Sequence, residues 1–315
     1  MNSPYESANF LQSKDWAKMN KLIGHKVYTH PCLMIIKDAK RGRYLEVPGG
    51  PLINWRSRVL TEKVFKGIKA VAEKEECVFI RVRPQLLDTK ENRELFASLG
   101  FRIAPMHLHA EHTVIIDLAQ DEETLLANMR RQTRYEVRRS IKQGIIVEKS
   151  CSEEVFKEFH QIQTDTAARQ HFVPPSEREL LAEHEAFGEN AVIYIAKTAE
   201  DKKPIAYGLI LKSGNEADYF EAASTELNRK LPGAYALQWQ VMRDLKSEGF
   251  KRYNLWGIAP PNQPNHRYAK VTTFKTGFGG EIVTYLPAHD LVLSPKKYKL
   301  NLLVETIRKK KRHLS

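Results

Sequence analysis

The sequence predicts an α+β fold made of two related domains, and three observations support this prediction. The 315 residues are about twice the usual size of one domain. Predicted strands and helices alternate along the chain, with no linker rich in Gly, Pro or Ser between them. A helix that ends at Leu99-Gly100-Phe101 and leads into a strand has a counterpart in a helix that ends at Glu248-Gly249-Phe250. The chain therefore holds two versions of one arrangement.

In the first half, strands are predicted where short apolar runs lie between turn residues, and helices where apolar residues recur every three or four positions. These rules predict strands at residues 27–38, 44–47 and 77–82, helices at 58–74 and 91–99, and renewed strand character over 101–117. Three acidic residues, Asp121-Glu122-Glu123, then begin one long amphipathic helix that ends before Gly144.

The second half continues with a helix at 153–169, three strands at 190–198, 204–212 and 217–225, a helix at 234–248 and a strand at 251–256. The order α, β, β, β, α, β is that of the acetyltransferase-like fold. Strands at 281–286 and 288–293 and a basic helix at 296–311 complete the chain. The predicted fold is α+β, with two tandem acetyltransferase-like (GNAT-like) domains.

The net charge points to a polyanionic partner. Lys and Arg number 50 against 38 Asp and Glu, which gives a formal charge of +12. The last twenty residues hold eight of the basic residues and a single acid, Glu305, and so supply +7 of that charge. Such a tail attracts nucleic acid or anionic lipid, although a merely solvated basic terminus is the simpler interpretation.

The remaining composition predicts a cytoplasmic protein. No apolar run approaches the roughly 18 residues that a membrane span needs, and the first residues resemble no signal peptide. Cys32, Cys77 and Cys151 are widely spaced and odd in number, which agrees with a reducing compartment.

Seven short segments, in order, carry a resemblance to the FemABX family of peptidoglycan aminoacyltransferases. They are spread over nearly the whole chain, at residues 10–17, 48–51, 134–138, 142–145, 166–172, 253–258 and 274–280. The last of them, Phe274-Lys275-Thr276-Gly277-Phe278-Gly279-Gly280, is the most specific. Two features depart from the family pattern. Gly49 stands where the family often has arginine, and no long heptad stretch is present, so the chain resembles the compact members without a coiled-coil arm.

The resemblance implies a function. A monomeric enzyme without a cofactor would transfer an amino acid from aminoacyl-tRNA to the stem-peptide amine of a precursor, either UDP-MurNAc-pentapeptide or lipid II, and so form the interpeptide bridge. It would work in the cytoplasm, with peripheral contact at the anionic inner face of the plasma membrane. Residues 1–111 with 287–315 would bind the precursor, and residues 112–286 would carry the catalytic loop.

The resemblance also implies site residues. Lys275, beside Phe274 in a loop rich in Gly and Thr, would place an ammonium where negative charge develops on the ester carbonyl oxygen. No motif identifies a general base, and Asp88 and Asp117 are the candidates. The substrate-binding residues would be Lys18 (with Lys21 as an equal alternative) and Arg169 at the pyrophosphate, Tyr219 in the cleft, and Gly49, Gly50 and Asn54 near the precursor.

Two other classes of function compete. An acetyl-CoA-dependent GNAT N-acetyltransferase would need its pyrophosphate loop at residues 229–234, where Pro232 occupies the first glycine position and has no N–H to offer. A basic nucleic-acid-binding module would explain the charge alone. His107, His109 and His112 are candidate zinc ligands by residue type, but His112 would point away from the other two on a regular strand, so no metal is predicted.

Overall fold

The structure is a computed structural model that describes residues 9–39, 42–106, 109–170, 172–261 and 263–311. His107 of the histidine cluster and Arg312 of the basic tail lie outside these residues. The chain divides into two compact units, one formed by Met1–Glu111 with Thr284–Ser315 and the other by His112–Val283. The roles predicted for the two domains remain predictions.

The described residues form ten α-helices. They are α1 (Lys14–Leu22), α2 (Arg58–Lys74), α3 (Lys90–Ser98), α4 (Glu122–Asn128), α5 (Arg131–Lys142), α6 (Glu153–Gln170), α7 (Glu177–Phe187), α8 (Gly233–Ser247), α9 (Ala269–Thr276) and α10 (Pro295–Lys311). Within the described ranges, no helix combines the length and the apolar character needed to cross a bilayer.

The same residues form thirteen strands. They are β1 (Lys26–Tyr28), β2 (Met34–Ala39), β3 (Gly42–Pro48), β4 (Phe79–Arg83), β5 (Arg102–Ile103), β6 (His112–Asp117), β7 (Ile146–Ser150), β8 (Ala191–Lys197), β9 (Pro204–Ser213), β10 (Glu216–Ser224), β11 (Arg252–Gly257), β12 (Glu281–Thr284) and β13 (His289–Val292).

The first unit is built on a sheet with the strand order β1-β2-β3-β4-β13-β5. The pair β3 and β4 is parallel, while β13 runs antiparallel to both β4 and β5. Helix α2 is amphipathic, and its buried Val64, Phe65 and Ile68 join the apolar side chains of these strands in one core. The last strand and helix therefore belong to the same unit as the start of the chain.

A buried ion-pair network holds α10 to this sheet. The Arg81 guanidinium on β4 donates two hydrogen bonds of 2.7 Å to the Asp290 carboxylate on β13. It also lies 2.9 Å from Glu305 on α10, and the Tyr298 hydroxyl donates to Asp290 over 2.8 Å. Because Arg81 and Asp290 are 2% and 0% exposed, each charge depends on the other for compensation.

The second unit has a seven-stranded sheet in the order β12-β6-β11-β10-β9-β8-β7. Helix α8 covers one face, where Val241 and Met242 pack with Ala206 and Ile210 of β9. Helices α6 and α7 cover the other face, as the contact of the Phe159 ring on α6 with Tyr207 of β9 indicates. The two faces of β10 therefore meet different helices.

The prediction of one long helix after Asp121 is wrong. The chain forms α4 and α5 instead, separated by extended backbone at Met129 and Arg130. The Arg130 N–H donates to the Gly277 carbonyl over 2.8 Å, and Met129 is buried in the core. Apolar residues keep their helical spacing across the break because both helices face the same core. The sequence pattern therefore gives no sign of the break.

Other differences concern short elements. The predicted strand at 27–38 is two strands, β1 and β2, with Pro31 in the turn between them, and the strand character over 101–117 resolves into β5 and β6. Strand β7 and helix α7 were not predicted. Helix α7 does carry a sequence signal, because Ser176 and Glu179 form a reciprocal capping box at its start.

Candidate functional site

The central feature of the second unit is a divergence between β10 and β11. These parallel neighbours pair only where Glu216–Asp218 lies beside Arg252–Asn254. Beyond that point β10 continues to Ser224 and β11 to Gly257 without further pairing to each other. Along the separated segments, the backbone N–H and C=O groups of β10 and β11 do not form hydrogen bonds between the two strands. A side chain or a ligand can therefore lie between the strands there.

The end of β11 is bent at this divergence. Trp256 has φ +58°, a backbone conformation that is uncommon for a residue other than glycine. The buried Asn254 side chain accepts a hydrogen bond of 2.9 Å from the Trp256 N–H, and the pairing of β11 with β6 shifts register between Asn254 and Gly257. This strained turn directs the Gly257 carbonyl out of the ladder.

Lys275 occupies the divergence. Its ammonium nitrogen donates to the Gly257 carbonyl over 2.9 Å and lies 5.7 Å from the centre of the Tyr219 ring on β10. Among the described residues, no carboxylate forms an ion pair with it. The Lys275 side chain is 8% exposed, and burial lowers its pKa to about 7. At neutral pH a bound anion would therefore strongly favour the charged form.

The prediction that Phe274 and Lys275 lie in a loop is wrong, because both belong to α9. The threonines that suggested a loop are instead accommodated within the helix. Thr272 and Thr273 donate from their hydroxyl groups to the carbonyls of Tyr268 and Ala269, one helical turn earlier, over 2.9 and 3.0 Å. Placement on a helix holds Lys275 more rigidly than a loop would.

Phe274 and Tyr219 have different surroundings. The Phe274 ring packs against Tyr235 of α8 and Phe278, with centroid separations of 5.2 and 5.1 Å, so it supports the helix rather than flanking the ammonium. The ring beside Lys275 is that of Tyr219. A Cβ on Gly208 of β9 would come within 2.7 Å of this ring, so Gly208 provides its space. A glycine inside a predicted strand was the signal for this position.

The start of α8 does not offer the phosphate cradle that acetyl-CoA needs. Pro232 has no N–H, the Gly233 N–H donates to the Leu231 carbonyl over 2.9 Å, and the Ala234 N–H donates to the Asn228 side chain over 3.0 Å. The donors that would meet a pyrophosphate are used within the chain. This arrangement argues against the N-acetyltransferase alternative.

The two cations proposed for the pyrophosphate lie in different units. Lys18 is exposed on α1 of the first unit. Arg169, at the end of α6, donates to the Thr166 hydroxyl over 3.1 Å and to the Ser224 carbonyl, and it pairs with Glu226 at 3.1 Å. A phosphate at Arg169 would therefore compete with Glu226.

Gly49 and Gly50 are buried beneath the start of the chain. A Cβ on Gly49 would come 2.3 Å from the Asn9 side chain, and one on Gly50 would come 2.5 Å from Gln12. The Gln12 amide donates to the Pro48 carbonyl over 2.7 Å. These glycines thus admit the protein's own amino-terminal segment, while Asn54 is exposed in the turn before α2, where it accepts from the Arg56 N–H.

The remaining candidates are used locally. Asp88 forms a two-point ion pair with Arg93. Asp117 lies opposite Arg252 in the register of β6 against β11. Arg252 is five residues, or about 16 Å of strand, before Gly257, so Asp117 is too far from Lys275 to serve as the base there. His109 contacts the buried Glu46 at 3.1 Å, and within the described residues no group of His, Cys, Asp and Glu has the makings of a metal site.

Comparison with known proteins gives a family match that spans the chain. The model of the FemAB family matches residues 2–203 and 195–306. FemA, an aminoacyltransferase of Staphylococcus aureus, is 29% identical over 83 residues. That segment is 26% of this chain and 20% of FemA, so the match spans about a fifth of the relative's length.

Solved structures share the fold. FemX superimposes with a TM-score of 0.84 at 16% identity, over 95% of this chain and 96% of FemX. L-PGS from Bacillus licheniformis gives 0.61 at 15% identity, over 91% and 90% of the two chains. A tandem GNAT protein from the clavulanic acid biosynthesis pathway gives 0.51 at 10% identity, over 84% and 80%. The predicted fold of two tandem GNAT-like domains is confirmed.

Proposed function

This chain belongs to the FemAB family, and we propose that it transfers an aminoacyl group from aminoacyl-tRNA to the stem-peptide amine of a peptidoglycan precursor. The observation that supports this most directly is the buried ammonium of Lys275 at the divergence of β10 and β11. Its surroundings suit an acyl transfer in which charge develops on a carbonyl oxygen.

The reaction needs no covalent enzyme intermediate. The unprotonated precursor amine attacks the ester carbonyl of the donor and the carbonyl oxygen becomes negative. The ribose oxygen then leaves as a hydroxyl, taking up the proton that the amine loses, as the peptide bond forms. Lys275 stabilises the negative charge, either directly or through the ribose and phosphate of the tRNA end. Because its site excludes water, one ammonium there stabilises the transition state far more than it would at the surface.

The remaining residues have proposed positioning roles. Tyr219 limits the mobility of the Lys275 ammonium and excludes water on one side. Lys18 and Arg169 bind the precursor pyrophosphate, and the acceptor is UDP-MurNAc-pentapeptide or lipid II. The basic helix α10 attracts the polyanion, which is either the tRNA or the anionic membrane face that carries a lipid-linked precursor.

A transfer assay tests this function. The protein is incubated with a mixed pool of aminoacyl-tRNA and either precursor, and the product is identified by its mass. We expect an adduct of one amino-acid residue on the stem peptide. Acetylation of the precursor by acetyl-CoA, with no product from aminoacyl-tRNA, would replace the proposal by the N-acetyltransferase alternative.

The pH dependence of kcat/KM reports the charge of Lys275 in the free enzyme. Since burial lowers its pKa to about 7, the ammonium is lost as pH rises through 7. We expect kcat/KM to fall above pH 7 if the charged form is required. The Glu221 carboxyl also has a pKa of about 7, raised by burial, so the profile is repeated with Glu221→Gln. The acceptor amine also loses a proton as pH rises, so a rise of kcat/KM above pH 7 would assign Lys275 as a base only if it is present in both proteins and absent from Lys275→Met.

A further inference from the structure

The face of β10 opposite Tyr219 carries an unusual group of buried acceptors. The register against β9 pairs Tyr219 with Ile210 and then Glu221 with Leu209, so Phe220 is an extra residue. This bulge turns Glu221 to the face covered by α6 and α7. There the Gln163 amide of α6 donates to the Glu221 carboxylate over 2.7 Å.

A second carboxylate, Glu183 of α7, is buried and close enough to Glu221 for the two charges to interact. It is 3% exposed, and burial together with the negative charge of Glu221 raises its pKa well above the usual value. Glu179 at the start of α7 adds to the same negative field. Within the described part of the chain, neither Glu183 nor Glu221 forms an ion pair with a lysine, arginine or histidine.

Hydrogen-bond acceptors here exceed donors. The Oε2 atom of Glu183 and the Oε1 atom of Gln163 are buried and have no hydrogen-bond partner among the described residues. Gln163 is 2% exposed, so this is an interior position rather than a wet surface. Native proteins seldom leave such atoms unpaired, because each costs about 1–3 kcal/mol.

We propose that Glu183, Glu221 and Gln163 bind a primary ammonium group of a substrate. An ammonium has three N–H donors and one positive charge, which match the two carboxylates and the unpaired amide oxygen. Glu221 is half-buried and so gives the ligand access. It stands two residues after Tyr219, so its Cα lies about 7 Å along the strand from that of Tyr219, whose ring faces the other side of the sheet beside Lys275.

The proposal deepens the proposed function and rests on it for the identity of the ligand. Aminoacyl transfer involves two primary amines, the α-ammonium of the donor amino acid and the stem-peptide amine of the acceptor. Both have the same recognition chemistry. Two probes separate them: L-alaninamide represents the donor group, and Nα-acetyl-L-lysine methylamide represents a side-chain amine of the acceptor.

Direct binding tests the site without requiring catalysis. The dissociation constant of each probe is measured by NMR titration of the full chain, with the Nε-acetylated lysine probe and N-acetyl-L-alaninamide as uncharged counterparts. We expect one amine probe to bind and its acetylated form not to bind. Glu183→Gln and Glu221→Gln should each weaken that binding about 10- to 100-fold, as expected for loss of a charged hydrogen-bond partner.

Glu158→Gln is the matched control. Glu158 also lies on α6, but its carboxylate already accepts a hydrogen bond from Tyr207, so the dissociation constant should not change. Thermal denaturation of each variant checks folding, and the isosteric Gln substitutions should leave the melting temperature at or above that of the wild type, because they remove buried charge.

The outcomes are distinguishable. Equal probe binding by the wild type and both glutamine variants would overturn the proposal and leave the pair as a structural feature that shares a proton. So would failure of both amine probes to bind the wild type. Amine binding without any aminoacyl transfer would contradict the proposed function while supporting the ammonium site.

Discussion

Replacement of Lys275 by Ala should reduce kcat by about 100- to 1000-fold at saturating donor and precursor, the usual cost of removing one preorganised charge donor. The ammonium is held by the Gly257 carbonyl and the Tyr219 ring in a buried position, where a single charge has a large effect. Lys275→Arg should restore activity only in part, since a planar guanidinium does not reproduce a compact point charge. Single-turnover kinetics would measure the chemical step.

Two further variants make the result specific. Lys275→Met fills the same buried space without charge, so it should fold as well as the wild type and still lose activity. Lys270→Ala removes an exposed lysine from the same helix and should leave kcat unchanged. Near-normal kcat in Lys275→Ala would mean that the lysine is a packing residue, and the proposed mechanism would lose its central group.

The second large effect concerns stability. Asp290→Ala removes the main counter-ion of the buried Arg81 and should lower the free energy of unfolding by about 3 kcal/mol, because it leaves that interior charge with Glu305 as its remaining ion-pair partner among the described residues. Urea denaturation measures this change. The loss should be accompanied by loosening of α10, whose Glu305 and Tyr298 contact the same two residues.

An exposed ion pair provides the comparison. Asp38→Ala breaks the contact of Asp38 with Arg43 at the surface, where Asp38 is 76% exposed, and should cost less than about 1 kcal/mol. The double variant Arg81→Met with Asp290→Leu should recover part of the stability, since it removes the two most buried charges together and leaves Glu305, which still accepts a hydrogen bond from Asn301. A loss of similar size from Asp290→Ala and Asp38→Ala would show that the buried network does not stabilise the first unit.

Much of the candidate site could be predicted from local sequence. The segment Phe274-Lys275 and the strand that contains Tyr219 were identified, and the structure brings Lys275 and Tyr219 together. The conformation around Lys275 was not predicted correctly. Thr272 and Thr273 favour loops on average, but here their hydroxyl groups bond back to the preceding helical turn, and the neighbouring aromatic rings support the helix.

The glycines at positions 49 and 50 mark a close contact within the chain rather than a contact with a ligand. Gly49 and Gly50 were predicted to lie near the precursor, but the chain's own Asn9 and Gln12 lie against them. A Cβ-free position indicates that something comes close, and only the tertiary structure identifies it.

The sequence by itself determined the alternation of helices and strands, the internal duplication, the basic tail and the position of Lys275, because each depends on residues close together in the chain. The tertiary structure alone decided three features: the divergence of β10 and β11, the break between α4 and α5, and the meeting of Gln163, Glu183 and Glu221. Each of these depends on partners from elements far apart in sequence. In sequence, the buried Glu183 of α7 looks like any surface glutamate, and only the fold brings it within range of the charge of Glu221 on β10.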